Sequence, residues 1–434
     1  MQMNYIGDIT LVRVGVAALA WLALPLTLLD AQSQLPSDTL TLAHARESAR
    51  RLSPELTAAR EGTRAATARE RQARAFPNPT LSYQREQTSE NGQTNSQNII
   101  SLDQPLEIGG QRGARAAAGR LRREVADARL AAAEAQLDFE VTRAYALTIA
   151  ADRRAALAHE AAGAFSRARR ASETRLVAGD VSGYAHRRVQ LEATRYAGVL
   201  AEAVLAQRTA RLTLASLIAQ NPDVLAPLDA VLKDPVGGSS VTLTTDSLRA
   251  LALRHRADLR LAVLEAEASA ADARVIGRER IPVPVLTGGA KTEQVVGGAD
   301  FRGFVAGVSL PLPLWDRRSD AVEAANADAR RRVAEADVVR RRIVREVDEA
   351  ADGLRAVDEQ LALLAPQLGP ESQRALRAAQ VAYSEGEVSL VEWLDAVRAY
   401  QEAEATFASL RAESLIRRAA LERAVGLPLL EESR

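Results

Sequence analysis

The chain contains the same landmarks twice, about two hundred residues apart. They are a Pro-Leu pair (105–106 and 311–312, 311 − 105 = 206), a Gly-Asp/Glu-Val-Ser segment (179–182 and 386–389, 386 − 179 = 207) and a segment with two prolines (76–79 and 281–284, 281 − 76 = 205). Their order is kept and the offset changes by single residues, as small loop insertions cause. This pattern indicates the duplication of one large structural unit, not an array of short repeats.

Each repeat is predicted to contain a helix, a β-hairpin and a long helical hairpin. We expect the first repeat at 32–232, with its β-hairpin at about 80–107 and its helical hairpin at 113–220. The second repeat is expected at 233–427, with a β-hairpin at about 283–312, a helical hairpin at 316–425, and a C-terminal tail at 428–434.

The N-terminus has the features of an export signal. Arg13 precedes an apolar run from Val14 to Leu29, and small residues follow at a position where cleavage could occur. The alternative is a membrane anchor, but the run is short for the roughly 20 residues that span a bilayer and contains Pro25. Residues 1–31 are therefore predicted to be a signal peptide.

The helical hairpins are unusually long. The segment from Gly113 to Arg175 lacks proline and would extend roughly 95 Å as a helix. Helices of this length indicate a coiled coil or a helical barrel. Gly179 and Gly386 are suited to end one helix, and Ser182 and Ser389 to cap the next.

The β-hairpins have the alternation of half-buried strands. Phe304, Ala306 and Val308 fall on one face, with small or polar residues between them. An ordinary soluble hairpin packed on a core is one interpretation. Two isolated hairpins, however, leave open edges, which copies from other subunits would close. Such closure is required in a membrane, where the backbone must be hydrogen-bonded.

Composition argues against catalysis and against nucleic acid as a partner. The 56 basic residues are balanced by 56 acidic residues, whereas phosphate binding needs a basic surface. The chain has no cysteine, and its four histidines are scattered without ligand spacing. No grouping typical of a nucleophilic active site is present, so we expect neither an enzyme nor a cofactor or resident metal.

One acidic pair follows the second predicted turn. Glu392 and Asp395 are three residues apart, so they share a helix face, while the first repeat has Ala185 and Arg188 at the equivalent positions. The simpler interpretation is the general preference for acidic residues in the first turn of a helix.

Taken together, these features resemble the TolC-type outer-membrane efflux channels. The resemblance covers about residues 38–427 and includes the paired turns and the sequence VEWLDAVRAY after the second turn. The sequences NPTL (78–81), QPLEIGGQR (104–112) and PLPLWDR (311–317) are most similar to the heavy-metal (CzcC-like) branch of the family.

The resemblance implies a mainly α fold with a β-barrel portion. In a homotrimer, each chain would give two β-hairpins to one shared barrel in outer-membrane lipid, and its long helical hairpins would form a periplasmic α-barrel tunnel. The implied function is the exit channel of a tripartite RND-type efflux system. It would conduct heavy-metal cations passively from the periplasm to the exterior and would have no catalytic residues. The partners would be a periplasmic adaptor protein and an inner-membrane pump.

The resemblance also assigns site residues. Six positions would dock the adaptor at the periplasmic tip: Gly179, Asp180, Ser182, Gly386, Glu387 and Ser389. Glu392 and Asp395 would surround the closed aperture. The chain departs from the family at Val388, where an arginine is common. The alternative function is an exported periplasmic structural coiled-coil protein with no channel.

Overall fold

The computed structural model describes residues 39–90, 93–220, 227–228, 244–295, 297–298, 300–366, 370–385 and 387–428. The predicted signal peptide (1–31), Gly386 and residues 429–434 of the predicted tail lie outside the described residues.

Both halves of the chain contain helices, then a strand pair, then long helices. The elements of the first half are α1 Leu42–Leu52, α2 Pro54–Ala73, β1 Thr80–Glu90, β2 Gln93–Pro105, α3 Gln111–Ala178 and α4 Gly183–Leu217. Those of the second half are α5 Thr245–His255, α6 Ala257–Arg278, β3 Val285–Gln294, β4 Phe301–Ser309, α7 Ser319–Leu364, α8 Pro370–Glu385 and α9 Leu390–Val425. The predicted fold class, mainly helical with two β-hairpins, is confirmed.

The helix that precedes each hairpin is divided into two. In the first half the division falls at Ser53, whose hydroxyl accepts a hydrogen bond from Leu56 N–H at 3.3 Å. Pro54 takes the first position of α2, where its missing N–H is not needed. In the second half the division falls at Arg256, which is 6% exposed and donates to Asp258 at 2.8 and 2.7 Å and to Glu346 of α7 at 2.6 Å.

The halves differ along their outgoing long helices. Helix α3 continues for 68 residues, whereas α7 ends at Leu364 and α8 begins at Pro370. Proline lacks an amide hydrogen and disrupts a helix interior. Pro366 and Pro370 occur at this interruption, and the positions 206 residues earlier are Glu160 and Ala164. The outgoing helix of the second half is therefore interrupted where that of the first half continues.

Each half has its own hydrophobic core, and the two cores use equivalent positions. The first contains Leu56, Val141 and Leu214, among others. The second contains the residues at the same offsets, Leu259 (259 − 56 = 203), Val347 (347 − 141 = 206) and Leu421 (421 − 214 = 207). Each core thus joins a short helix, the outgoing long helix and the returning helix in the same way.

Polar contacts around the cores are also equivalent. Arg46 donates through Nε to Thr142 Oγ1 at 3.0 Å. Arg249 donates through Nε and NH2 to the carboxylate of Asp348 at 2.7 and 2.8 Å. The offsets are again 249 − 46 = 203 and 348 − 142 = 206. The duplication therefore extends from the sequence landmarks to individual side-chain contacts.

The four strands form one antiparallel sheet in the order β1-β2-β3-β4. Strands β2 and β3 pair from Pro105 opposite Val285 to Ser96 opposite Gln294. This pairing joins the hairpins of the two halves, so they form one sheet and are not isolated from each other. Only β1 and β4 remain as edges of the described sheet.

The two faces of the sheet differ in polarity and in exposure. One face, called the apolar face, carries Leu81, Tyr83, Ile100, Leu102, Leu286, Phe304 and Val308, all exposed. The other, called the polar face, includes Ser82, Asp103, Thr287, Lys291 and Glu293. On the polar face the hydroxyls of Ser82 and Thr287 both donate to the Asp103 carboxylate. The sheet thus exposes its apolar side chains, while polar side chains on the other face form hydrogen bonds with one another.

Each helix in the described ranges is either too short or too polar to span a lipid bilayer.

The equivalence of the cores predicts matched effects of two core substitutions. Leu214→Ala and Leu421→Ala each remove a leucine that is at most 2% exposed. Each should lower the free energy of unfolding by about 2–5 kcal/mol, because each leaves a cavity. Thermal unfolding of the detergent-solubilised protein, followed by circular dichroism, should give similar reductions in Tm. Val177→Ala, at a residue that is 87% exposed, is the control. A large effect in one leucine variant only would contradict equivalent cores.

Candidate functional site: the helical turns and the acidic pair

The first turn lies at the end of α3, far from the sheet. Helix α3 begins six residues after β2 and rises roughly 100 Å along its axis. It ends at Gly179, whose φ of 85° is left-handed and suits glycine. Gly179 N–H donates to Leu176 O at 3.1 Å, and Asp180 N–H donates to Arg175 O at 2.9 Å. These two bonds form a Schellman motif, which satisfies the last carbonyls of the helix.

The second turn repeats this geometry. Glu387 N–H donates to Ala382 O, five residues earlier, at 2.9 Å, as Asp180 does to Arg175. Gly386, a predicted docking residue, is outside the described residues. Both following helices are capped by serine: Ser182 Oγ accepts from Ala185 N–H at 3.2 Å, and Ser389 Oγ accepts from Glu392 N–H at 3.3 Å.

The fold brings the two turns to the same end of the helical bundle. A single buried cluster joins Phe165 of α3, Val189 of α4 and Leu394 of α9. Val189 and Leu394 lie only two turns or fewer beyond the capping serines, so the starts of α4 and α9 pack together. The predicted docking residues that the structure describes are exposed at this end of the bundle.

Glu392 belongs to the cap of α9. Its carboxylate accepts a hydrogen bond from Ser389 N–H at 2.7 Å, completing a reciprocal capping box. The first turn lacks this arrangement because Ala185 occupies the equivalent position. The hydrogen bonds from the Ser389 backbone and hydroxyl hold the pKa of Glu392 below its ordinary value. Glu392 is therefore exposed and ionised at neutral pH, and its first role is local.

Asp395 takes part in an ion-pair network that the sequence did not reveal. It lies 3.4 Å from Arg398, and Arg398 lies 3.0 Å from Glu192 of α4. Burial alone would lower the pKa of Arg398, but the Tyr196 hydroxyl and the carboxylates of Glu192 and Asp395 raise it. The spacing of Asp395 and Arg398 is visible in the sequence, whereas the contact between α9 and α4 depends on the fold.

These residues supply charge and helix anchoring, without a cluster of ligands. Across the described ranges, no group of three or more His, Asp or Glu side chains is arranged to hold a metal ion. The arrangement can attract cations by its exposed carboxylates and can hold the starts of α4 and α9 together.

The capping box makes the start of α9 sensitive to acid. The ionised carboxylate of Glu392 stabilises the start of α9, and its pKa is lowered. This stabilisation is fully present above the ordinary pKa of 4.5 and is lost as the pH falls through the lowered pKa. Hydrogen–deuterium exchange, corrected for intrinsic rates, should show the first turn of α9 losing protection in acid. The first turn of α4, capped by Ser182 without an acidic partner, is the internal control.

Glu392→Gln should remove this pH dependence while leaving the serine cap in place. Equal acid sensitivity of α4 and α9 in the unmodified protein would count against a specific role of Glu392.

Comparisons with known proteins agree with this architecture. Residues 248–427 match the family model described as "Outer membrane efflux protein". The cobalt-zinc-cadmium resistance protein CzcC of Cupriavidus metallidurans is 27% identical over 331 residues, which are 75% of this chain and 76% of CzcC. The nickel-cobalt-cadmium resistance protein NccC of Alcaligenes xylosoxydans xylosoxydans is 30% identical over 282 residues, 63% of this chain and 61% of NccC.

Solved structures share the fold. The Campylobacter jejuni CmeC outer membrane channel superposes with a TM-score of 0.73 at 17% identity, covering 91% of this chain and 87% of that chain. The open state of the Neisseria gonorrhoeae MtrE outer membrane channel gives a TM-score of 0.70 at 18% identity, covering 91% and 90%. Over residues 248–427 the chain is therefore similar to the outer membrane efflux protein family, and its predicted resemblance to the heavy-metal branch of that family is confirmed.

Proposed function

We propose that this chain forms the outer-membrane exit channel of a tripartite RND-type efflux system and conducts its substrate passively from the periplasm to the exterior. The observation that carries this proposal is the four-stranded sheet, whose apolar face is exposed and whose polar face holds its own hydrogen bonds.

The polarity of the sheet is inverted relative to a sheet packed on a soluble core. Along β3, the residues of the apolar face are exposed and those of the polar face are half-buried, in strict alternation. Phe304 and Leu81, on β4 and β1, are 84% and 73% exposed. Exposure of so many large apolar side chains to water is unfavourable, whereas contact with lipid removes that cost. The apolar face would therefore be the lipid-facing face.

The strand lengths also suit a membrane. The four strands have 11, 13, 10 and 9 residues, and a tilted strand needs about 9–11 residues to span the hydrocarbon layer. The edges β1 and β4 cannot remain unpaired in lipid. Three copies would close them into one barrel, with each chain contributing four strands.

The long helices would put the turns at the opposite end of the molecule from the proposed membrane-spanning sheet. Roughly 100 Å of α3 separates the sheet from Gly179, which would put the turns deep in the periplasm. There the tip residues would meet an adaptor protein. They are Gly179, Asp180, Ser182, Gly386, Glu387 and Ser389. The tip would offer a docking surface and charge. The energy for transport would come from the inner-membrane pump.

Heavy-metal cations are the proposed substrate. The relatives are named for resistance to cobalt, zinc, cadmium and nickel. An exit channel needs to attract a cation without binding it tightly, since tight binding would slow release. Exposed carboxylates such as Glu392 and Asp395, unaccompanied by a described ligand cluster, meet that requirement.

The alternative, an exported periplasmic coiled-coil protein without a channel, accounts for the helices but not for the sheet. A soluble protein would be expected to cover its apolar face. In the described residues the large apolar side chains of that face, such as Phe304 and Leu81, are exposed, so this alternative is less well supported.

Fractionation of cells that express the full chain is the direct test of the proposed function. We expect recovery in the outer membrane as an SDS-resistant oligomer that dissociates on heating, and conductance when the purified oligomer is added to a planar bilayer. Recovery as a soluble periplasmic protein would refute the channel and favour the coiled-coil alternative.

The substrate is tested separately by metal tolerance. Deletion of the gene should lower tolerance to cobalt, zinc, cadmium or nickel, and the unmodified chain should restore it. Normal metal tolerance together with sensitivity to organic compounds would retain the channel and change the substrate.

Removal of the acidic pair should alter the closed aperture. Glu392→Ala with Asp395→Ala deletes the capping carboxylate of α9 and one partner of Arg398, so the start of α9 is held less firmly. We expect a higher resting conductance in planar bilayers and a lower preference for cations over anions. Glu402→Ala, seven residues beyond Asp395 on the same helix face, is the control. Unchanged conductance and selectivity in the double variant would exclude an aperture role.

A further inference from the structure

We propose that β4 of one copy pairs with β1 of a second copy in the same antiparallel register that β2 and β3 adopt within one chain, so that Ser309 lies opposite Ser82 of the second copy. This inference rests on the proposed function for its closed barrel. Its new content is the residue-level register of the contact between copies.

The two hairpins are equivalent residue by residue. Thr80 pairs with Asp103 in the first hairpin, and Val285 pairs with Ser309 in the second. The offsets are 285 − 80 = 205 from β1 to β3 and 309 − 103 = 206 from β2 to β4. The same offsets relate the proline segments before β1 and β3 (281 − 76 = 205) and the prolines at 105 and 311 (311 − 105 = 206). Sequence and strand pairing therefore agree on the alignment.

This alignment converts the known pairing into a prediction for the unpaired edges. Within the chain, Asp103 of β2 lies opposite Thr287 of β3. The equivalent of Asp103 on β4 is Ser309, and the equivalent of Thr287 on β1 is Ser82 (287 − 205 = 82). If β4 meets β1 of the next copy as β2 meets β3, these two serines lie opposite each other.

The same rule preserves the faces of the sheet. Leu102 opposite Gly288 becomes Val308 opposite Tyr83, and the pair on the next row becomes Leu310 opposite Leu81. All four of these side chains would then lie on the apolar face. A shift of one residue would instead place apolar side chains of one copy beside polar side chains of the other.

A backbone contact beyond the strand ends extends the ladder. Leu106 N–H, just after β2, donates to Pro284 O, just before β3, at 2.8 Å. The equivalent bond would join Leu312 N–H to Pro79 O of the second copy. Leu312 and Leu310 are 64% and 49% exposed in the single chain, at the edge where this contact would form.

A glycine in the existing contact has a counterpart in the predicted one. Gly289 lies opposite Ser101, and a Cβ on Gly289 would come within 2.3 Å of Ile100 O. At the Ser101–Gly289 pair there is therefore room for a side chain on β2 but not on β3. In the predicted pair the equivalents are Gln84 and Gly307, so a glycine is again present, on the opposite strand.

The proposed register can be tested by a disulfide between copies. The chain has no cysteine, so Ser82→Cys with Ser309→Cys introduces the only two thiols. Strands β1 and β4 of one sheet are separated by β2 and β3, or about 14 Å at 4.7–4.9 Å per strand spacing. A disulfide bridges Cα atoms less than about 7 Å apart, so a bond between these two cysteines must join two copies.

The geometry at this position favours the disulfide. Leu106 and Pro284 form a hydrogen-bonded pair, and such pairs alternate with non-hydrogen-bonded pairs in an antiparallel ladder. Asp103 and Thr287, three residues further along, are therefore a non-hydrogen-bonded pair, and so are the predicted Ser309 and Ser82. Cα atoms in such pairs are about 4.5 Å apart.

The membrane fraction of cells that express the double variant is treated with an oxidant and analysed on non-reducing denaturing gels. We expect the monomer band to be lost in favour of disulfide-linked dimers and trimers that a reductant returns to monomer. Gln84→Cys with Ser309→Cys is the matched control, because it tests a shift of two residues on the same face. Each single cysteine variant controls for collisional crosslinking.

Crosslinking in the control pair but not in the Ser82 pair would overturn the register. Crosslinking in neither pair, in protein that is recovered from the outer membrane as an oligomer, would overturn the pairing of β4 with β1. Recovery outside the membrane would contradict the proposed function. In that case the comparison of the Ser82 pair with the Gln84 pair would still show whether the proposed register is correct.

Discussion

The backbone groups of strands β1 and β4 impose the constraint on which the assembly depends. Strands β2 and β3 satisfy each other within the chain and so hold the two halves together at the sheet. The outer strands have no such partner in the described sheet. In lipid, their backbone N–H and C=O groups could not form hydrogen bonds with water instead. If this sheet lies in lipid, as proposed, its edges require closure into a ring of strands.

Small buried side chains allow the long helices to pack closely together. The buried residues of α3 include alanines at 118, 128, 144, 146, 150, 155, 158, 161, 164 and 168. Alanine allows long helices to approach closely and favours the helix intrinsically. The equivalent cores, with Val141 in one half and Val347 in the other, then anchor both helical hairpins to their short helices in the same way. The two halves differ at α7 and α8, where Pro366 and Pro370 interrupt the outgoing helix.

Much of this architecture was predictable from local sequence signals. The repeated landmarks indicated the duplication, the alternation from Phe304 to Val308 indicated a strand, and Ser182 and Ser389 indicated helix caps. The pairing of β2 with β3 was not predictable, because it depends on residues about 190 positions apart and no local pattern encodes it. The division of α5 and α6 at Arg256 likewise depends on a contact with Glu346 of α7.

The candidate aperture shows the same division between local and tertiary information. The spacing of Ser389 and Glu392 is sufficient to predict a capping box, but the contact of Arg398 with Glu192 on α4 requires the folded bundle. At the start of α9 the carboxylates of Glu392 and Asp395 are exposed. At physiological salt, charges in solution are screened over about 8 Å. In the proposed channel, the attraction of Glu392 and Asp395 for cations would therefore act only close to the helical turns, so this end of the channel would determine which ions enter.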